Sequence, residues 1–160
     1  MVANGMLAGL VAITAPSGFV SAPVGFLIGV IAGLLVCVSV DILDRFKIDD
    51  PVGAVSVHGV GGTFGVICVG IFADGTALFG GSWNGVPGAV KGILYGDSGQ
   101  LIAQLIGVGT LIVWAFGLSY VFFKILDKVM GLRVTEQAEL DGLDIPETGI
   151  MGYPSFPSTD

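Results

Sequence analysis

Residues 24–40 of the chain read VGFLIGVIAGLLVCVSV and contain no charged residue. Pro23 precedes this stretch, and a charged cluster that begins at Asp41 follows it. A helix that crosses the roughly 30 Å hydrocarbon core of a bilayer needs about 20 predominantly apolar residues. Together with its flanks, residues 22–43, the stretch therefore predicts a transmembrane helix.

The composition of the whole chain points to the same class of protein. Hydrophobic residues make up 53% of the 160 residues and charged residues only 12%, whereas an ordinary soluble domain has about 25% charged residues. The 27 glycines show no G-X-Y period, which excludes collagen and favours helices packed closely in lipid. The net charge of −7, with six lysines and arginines, argues against a nucleic-acid partner. We expect an all-α integral membrane protein.

Two further apolar stretches predict transmembrane helices at residues 51–73 and 99–128. Pro51 is expected in the first turn of its helix, because the amide that proline lacks would be unpaired there anyway. The carboxylates of Asp49 and Asp50 would then stand beside the positive end of this helix and stabilise it.

The two ends of the chain differ from these spans. An apolar segment at residues 4–15 is too short to cross a bilayer, since it rises only about 18 Å at 1.5 Å per residue, and we expect it to be the remaining part of a longer helix. The first forty residues contain no lysine or arginine, so they do not resemble a secretory signal. Residues 131–160 are polar and proline-containing, which predicts a tail after a membrane domain at residues 1–130.

Basic residues predict the orientation in the membrane. Arg45 and Lys47 lie in the first connection, further basic residues follow the last span, and the intervening loop contains only Lys91. Because lysine and arginine accumulate in cytoplasmic loops, we expect the connection at residues 41–50 and the C-terminal tail to be cytoplasmic.

The only histidine, His58, lies in the second predicted span. Seven residues of helix after Pro51 would place it about 10 Å into the membrane, near the midplane. An ionisable group there is costly unless it faces protein or a water-filled path, so His58 is a functional candidate, although a purely structural hydrogen bond between helices is the alternative. In α-helical spacing its neighbours are small and favour close helix packing: Ala54, Gly61, Gly62 and Gly65.

No pattern in the sequence predicts an enzyme, a cofactor or a metal site. His58 has no nearby carboxylate in sequence, so a nucleophile, base and oxyanion arrangement is not indicated. The glycines do not follow a strand as those of a phosphate loop do. Cys37 and Cys68 lie in apolar stretches, where a thiol behaves as a small hydrophobic residue.

Three blocks of sequence, in the right order, resemble ammonium transporters of the Amt/Mep family. The block KIDDPVGAVSVHGVGG, residues 47–62, resembles the segment before and within the tenth helix of that family. The block NGMLAGLVAITA, residues 4–15, resembles the eighth helix. The third block, GLRV at residues 131–134 followed by Glu139, Gly142, Asp144 and Tyr153, resembles the cytoplasmic C-terminal region. The resemblance implies helices 8 to 11 of an eleven-helix protomer.

The resemblance also implies a function for individual residues. His58 matches the second of two pore histidines that share a ring hydrogen bond at mid-membrane in the family, and Ala54 and Leu7 match apolar pore-lining positions. The first histidine, the aromatic gate and the outer cation site belong to helices that precede these blocks. Neutral imidazoles in a narrow apolar path can hold ammonia by hydrogen bonds and relay a proton stripped from ammonium. The resemblance implies ammonium or ammonia as substrate, a homotrimer and a plasma-membrane location.

A regulatory role of the cytoplasmic face is implied in the same way. In prokaryotic family members a trimeric PII-type signalling protein docks on this face and blocks the channel. The tail departs from the family pattern at residues 148–150, which read Thr-Gly-Ile where His-Gly-Glu is common. The residues that match the regulatory region are Asp49, Asp50, Arg133, Gly142, Asp144 and Tyr153.

Two alternatives to transport remain open from the sequence. One alternative is a membrane-anchored module whose tail binds a signalling protein. The other is an inert truncated product in which His58 is merely structural.

Overall fold

The apolar run at residues 24–40 forms the middle of a long helix in the structure, a computed structural model that describes residues 1–75, 89–150 and 152. This helix, α2, spans Ala22–Arg45, with proline in its first turn, where a missing amide costs nothing. Two residues after the end of this helix, Lys47 has a left-handed φ of +55°. A shorter helix, α1, precedes α2 at Val2–Thr14.

The next membrane-length helix, α3, spans Val55–Phe72, and it begins later than the sequence predicted. Pro51 lies in a turn, which the Gly53 amide closes by donating to the Asp50 carbonyl oxygen over 2.9 Å. Gly53 has a φ of +74°, a conformation that is open to glycine and rare for other residues. The expectation that Pro51 occupies the first helical turn is therefore wrong, because a left-handed residue separates Pro51 from the helix.

Helices α1, α2 and α3 pack through small residues. A Cβ added to Gly9 would lie 3.7 Å from Gly29, and one added to Gly25 would lie 3.2 Å from the Ile13 side chain. Residues later in α1 thus contact residues earlier in α2, so these two helices are antiparallel. Ala8 contacts Gly61 and Ala12 contacts Gly65, so α1 and α3 run parallel. The buried side chains of this packing include Ala8, Ala12, Ile28, Ala32, Val36 and Val57.

Helix α4 spans Ser98–Met130, and its first part contacts α3, where Gly70 approaches Leu101. Asp74 forms an isolated β-bridge with Lys91, and a 3₁₀ turn at Ile93–Tyr95 precedes α4. A short helix, α5, follows at Glu136–Asp141. Two compact units contain these elements, residues 1–112 and residues 113–160.

The helices confirm the predicted fold class. Three of them, α2, α3 and α4, are long and apolar enough to cross a membrane. No strand occurs within residues 1–75 and 89–150, so the described part of the chain is all-helical.

Candidate functional site

His58 lies in the opening turn of α3, and this turn is π-helical over Val55–Val60. The Gly61 amide donates to the Ser56 carbonyl oxygen, five residues earlier, and α-helical geometry begins at Gly61. Single π-helical turns are rare and frequently occur at functional sites. Because α3 begins at Val55, His58 lies within the first turn of its helix, one turn nearer to the start than the count from Pro51 predicted.

The neighbours of His58 along the chain determine its direction. Ser56 is fully buried and Val57 is 2% exposed, so these two residues point toward the packed helices. His58 and Ala54 are exposed, so they do not lie on the packed side of α3. The imidazole therefore lies on a face of α3 that the described helices leave uncovered.

The three glycines that were predicted beside His58 lie against α1. Gly61 and Gly65 are buried, and a Cβ on Gly61 would lie 3.7 Å from the Ala8 carbonyl oxygen. Gly62 is half-buried and approaches the Val11 side chain. Their packed positions contrast with the exposed imidazole, since α-helical spacing does not hold across a π-helical turn. Leu7, on α1, is 47% exposed.

A carboxylate caps the turn that carries His58. One Asp50 oxygen accepts the Val55 amide at 3.1 Å and the other accepts the Ser56 amide at 3.1 Å. Partial burial raises the pKa of Asp50, but hydrogen bonds from the Val55 and Ser56 amides lower it, and the net shift is downward. Asp50 thus stays ionised and holds the positive end of α3.

A buried serine pair extends this arrangement to α2. The Ser39 hydroxyl donates to the Ser56 hydroxyl oxygen over 3.0 Å, and the backbone amide of Ser56 donates to Asp50. Sequence reasoning missed both serines, because a lone serine in an apolar helix has many possible roles. Their signal was weak but present, since a hydroxyl buried between membrane helices needs a partner.

The tail residues of the predicted regulatory set lie in the unit at residues 113–160. Arg133 forms an ion pair with Glu139, Nε to Oε1, over 2.6 Å, and this hydrogen bond lowers the pKa of Glu139. One Asp144 oxygen accepts the Gly152 amide at 3.0 Å. Gly142 has a φ of +95°, which favours glycine. Tyr153 lies outside the described residues, and Asp49, in the other unit, is exposed.

Within the described residues, no three His, Cys, Asp or Glu side chains form a group that could hold a metal ion. Cys68 is buried and Cys37 is exposed. The chemistry available in the described part of the α3 site is therefore that of one imidazole on an apolar helix.

The comparisons with known proteins agree with one another. A family model described as Ammonium Transporter Family matches residues 1–153. The ammonium transporter Amt2 of Archaeoglobus fulgidus is 44% identical over all 160 residues, which correspond to 34% of its own length. The ammonium transporter Amt1 of Haloferax mediterranei is 38% identical over 96% of this chain and 26% of its own length.

Solved structures show the same likeness. A structure described as a sensor Amt protein superposes with a TM-score of 0.72 and 40% identity, covering 91% of this chain and 33% of that protein. Mep2 of Candida albicans superposes with a TM-score of 0.73 and 28% identity, covering 84% of this chain and 29% of that protein. The chain spans about a third of the length of these proteins or less, and with the match at residues 1–153 it belongs to the ammonium transporter family.

Proposed function

We propose that this chain supplies helices α1 to α4 to a protomer that carries ammonium or ammonia across a membrane, and that His58 lines the path. The observation that carries the proposal is an imidazole exposed on α3 while its neighbours Ser56 and Val57 are buried. The relatives that match the chain are named ammonium transporters, which supports the substrate.

The proposed role follows from the chemistry of imidazole. Neutral imidazole has one N–H donor and one nitrogen acceptor, so it can bond ammonia in either direction. A charged group in an apolar path is costly. We therefore propose that ammonium gives one proton to the acceptor nitrogen of the neutral imidazole and passes as ammonia, while the imidazole releases a proton from its other nitrogen toward the far side, so that net charge crosses with the substrate. Ala54, exposed on the same helix, and Leu7 would provide apolar wall. No covalent step is required, so we propose a transporter and not an enzyme.

The finer features of the family belong to the same proposal. We place the C-terminal tail and the 41–50 connection in the cytoplasm, on the distribution of lysine and arginine, and the protein in the plasma membrane as a homotrimer. A regulatory role of the tail with a PII-type partner is a second candidate function. It is favoured by one neighbour, described as a sensor Amt protein.

The test of the transport proposal is the variant His58→Ala in the complete protomer that contains this chain, reconstituted in liposomes. We expect ammonium-driven current, or its selectivity over potassium, to change by about tenfold or more, since hydrogen-bonding groups in a water-poor path control passage. Val38→Ala is the control, because Val38 is an exposed apolar residue of α2, 54% accessible.

Unchanged current and selectivity in His58→Ala would remove His58 from the path and favour a structural histidine. For the second candidate, deletion of residues 131–160 should alter flux or its control by a PII-type protein. Normal flux and control in the deletion would exclude the regulatory role.

A further inference from the structure

The start of α3 depends on a carboxylate that reaches across a turn. Asp50 bonds the amides of residues five and six positions later in the chain. An ordinary N-cap bonds amides two or three positions later, as Asp97 does at the start of α4 with Gly99 and Gln100. The longer reach is possible because the chain folds back at Gly53, where φ is +74°.

Two serines connect this carboxylate to the neighbouring helix. The Ser39 hydroxyl on α2 donates to the Ser56 hydroxyl oxygen, and the backbone amide of the same Ser56 donates to Asp50. Ser56 is fully buried, so the bond between the two hydroxyls is shielded from water, and breaking it costs more than breaking an exposed one. The opening turn of α3 is thereby attached to α2 through side chains.

The geometry of this turn affects the direction of His58. A π-helical turn contains one residue more than an α-helical turn, since its hydrogen bonds join residues five apart. If the turn became α-helical while Gly61–Phe72 stayed packed on α1, the residues before Gly61 would shift by one position, or about 100° around the helix axis at 3.6 residues per turn. His58 would then leave the face that it now occupies.

We propose that Asp50, acting through Ser56 and Ser39, is the positioning residue for His58: it holds Val55–Val60 in π-helical geometry and so directs the imidazole to the uncovered face of α3. The lowered pKa of Asp50 agrees with a carboxylate that the turn keeps ionised. The consequence for transport rests on the function proposed above, whereas the orientation of the ring does not.

The test compares Asp50→Asn with Asp97→Asn in the complete protomer that contains this chain. Both variants remove one negative charge from a helix cap, but Asp97 caps a different helix. In Asp50→Asn we expect ammonium transport or its selectivity over potassium to fall by about tenfold or more, as a small misplacement of a functional group can do. In Asp97→Asn we expect both quantities to stay within about twofold of the wild-type values.

A double variant identifies the route of the effect. If Asp50 acts through His58, Asp50→Asn adds no further loss of selectivity to His58→Ala, because coupled residues are not additive. Independent, multiplied losses in the double variant would overturn the proposal, as would equal effects of Asp50→Asn and Asp97→Asn.

A spectroscopic measurement separates this proposal from the transport function. The ¹⁵N signals of the His58 ring, assigned by their loss in His58→Ala, should shift in Asp50→Asn and stay in place in Asp97→Asn. If His58→Ala leaves transport unchanged, the function proposed above fails, but the ring shift still decides the positioning role. Where Asp50→Asn does not assemble, Ser39→Ala replaces it, and unmoved ring signals in that variant would contradict the proposal.

Discussion

Helices α3 and α4 share three local features and differ in their surroundings. Both are long and apolar enough to cross a membrane, both begin at an aspartate cap, and both contain a π-helical turn, at Val55–Val60 and at Ile112–Phe116. However, α3 is packed against α1, with Gly61 and Gly65 buried, whereas no residue of α4 is buried by the rest of this chain, which spans about a third of its relatives' length or less.

A cap or a π-helical turn therefore does not by itself indicate a functional site. In α3 the turn carries the histidine, and a carboxylate and a buried serine pair hold it. The turn in α4 consists of exposed apolar residues. The functional assignment therefore depends on what surrounds the turn, and variants in the two helices can test it in pairs.

The largest effect is expected from Gly65→Ala in α3. A methyl group there would overlap the Ala12 carbonyl oxygen and lie 2.9 Å from the Ala12 Cα, and backbone cannot move aside as a flexible side chain can. We expect the protein to lose about 3 kcal/mol of stability or more, measured by thermal unfolding in detergent.

Gly107→Ala in α4 is the matched control, because a Cβ at Gly107 meets nothing within 4 Å. It should leave stability unchanged or raise it by up to about 1 kcal/mol, since alanine is the better helix former. Equal losses in the two variants would contradict the close contact between α1 and α3.

The second largest difference in stability is expected between variants of the two helix caps, Asp50 of α3 and Asp97 of α4. Asparagine keeps one acceptor oxygen, and one Asp97 oxygen accepts both of its amides, so we expect Asp97→Asn to cost well below the roughly 1 kcal/mol of a removed cap. We expect a larger loss, about 1 kcal/mol or more, for Asp50→Asn, because each Asp50 oxygen accepts a different amide and the NH₂ group of asparagine cannot accept either. Denaturant unfolding of each variant beside the wild type measures the difference. A larger loss in Asp97→Asn would reverse the order of the two caps.

The pH dependence of the α3 cap follows from the lowered pKa of Asp50. A carboxyl whose folded-state pKa lies below its unfolded value stabilises the fold above the unfolded pKa, and this stabilisation is lost as the pH falls through the folded value. We expect amide exchange protection at Val55 and Ser56 to decrease as the pH falls below about 4. In Asp50→Asn the protection should not change over the same range, and a similar decrease there would assign the effect to another group.

A smaller effect is expected from Ser39→Ala. This variant removes a buried hydrogen bond between α2 and α3, which contributes about 1 kcal/mol. Thr110→Val in α4 is the control, because the Thr110 hydroxyl bonds the Ile106 carbonyl within its own helix and is exposed. If thermal unfolding shows the same shift for both, the buried pair contributes nothing special to the contact of the helices.

The smallest effect on stability is expected in the tail, from Arg133→Ala. The Arg133 and Glu139 side chains are exposed, and exposed ion pairs contribute little. The pKa of Glu139 should rise toward its ordinary value, because the guanidinium hydrogen bond lowers it, and carboxyl NMR titration measures this. An unmoved pKa would mean that the pair does not persist in solution.

Much of the fold was predictable from apolar length. The predicted spans at residues 22–43 and 99–128 agree with α2 and α4 to within two residues, since Asp41 to Asp50 and the charges after Phe123 limit the apolar runs. The predicted start of α3, Pro51, lies four residues before the observed one. Proline is common as a first helical residue, and no local sequence pattern indicates that Gly53 has a left-handed φ.

The candidate site also has a part that the sequence predicts and a part that it does not. The identity of His58, its place in an apolar span and its family context were readable from the sequence. The serine pair was not, because Ser39 and Ser56 are 17 residues apart and their contact depends on how two helices pack.

Apolar length and motif order in the sequence are enough to identify a helical membrane protein of the ammonium transporter family with one histidine in an apolar helix. Both features depend on many residues at once, so the conformation of a single turn does not change what they predict. A carboxylate at the positive end of α3 was also expected from the sequence. The packed structure was needed to show that the histidine lies in a π-helical turn, that Asp50 is the carboxylate that bonds the Val55 and Ser56 amides and that the imidazole faces away from the packed helices. These features depend on a few hydrogen bonds and on contacts between helices that are distant in sequence. A local sequence pattern does not contain the energies of such contacts.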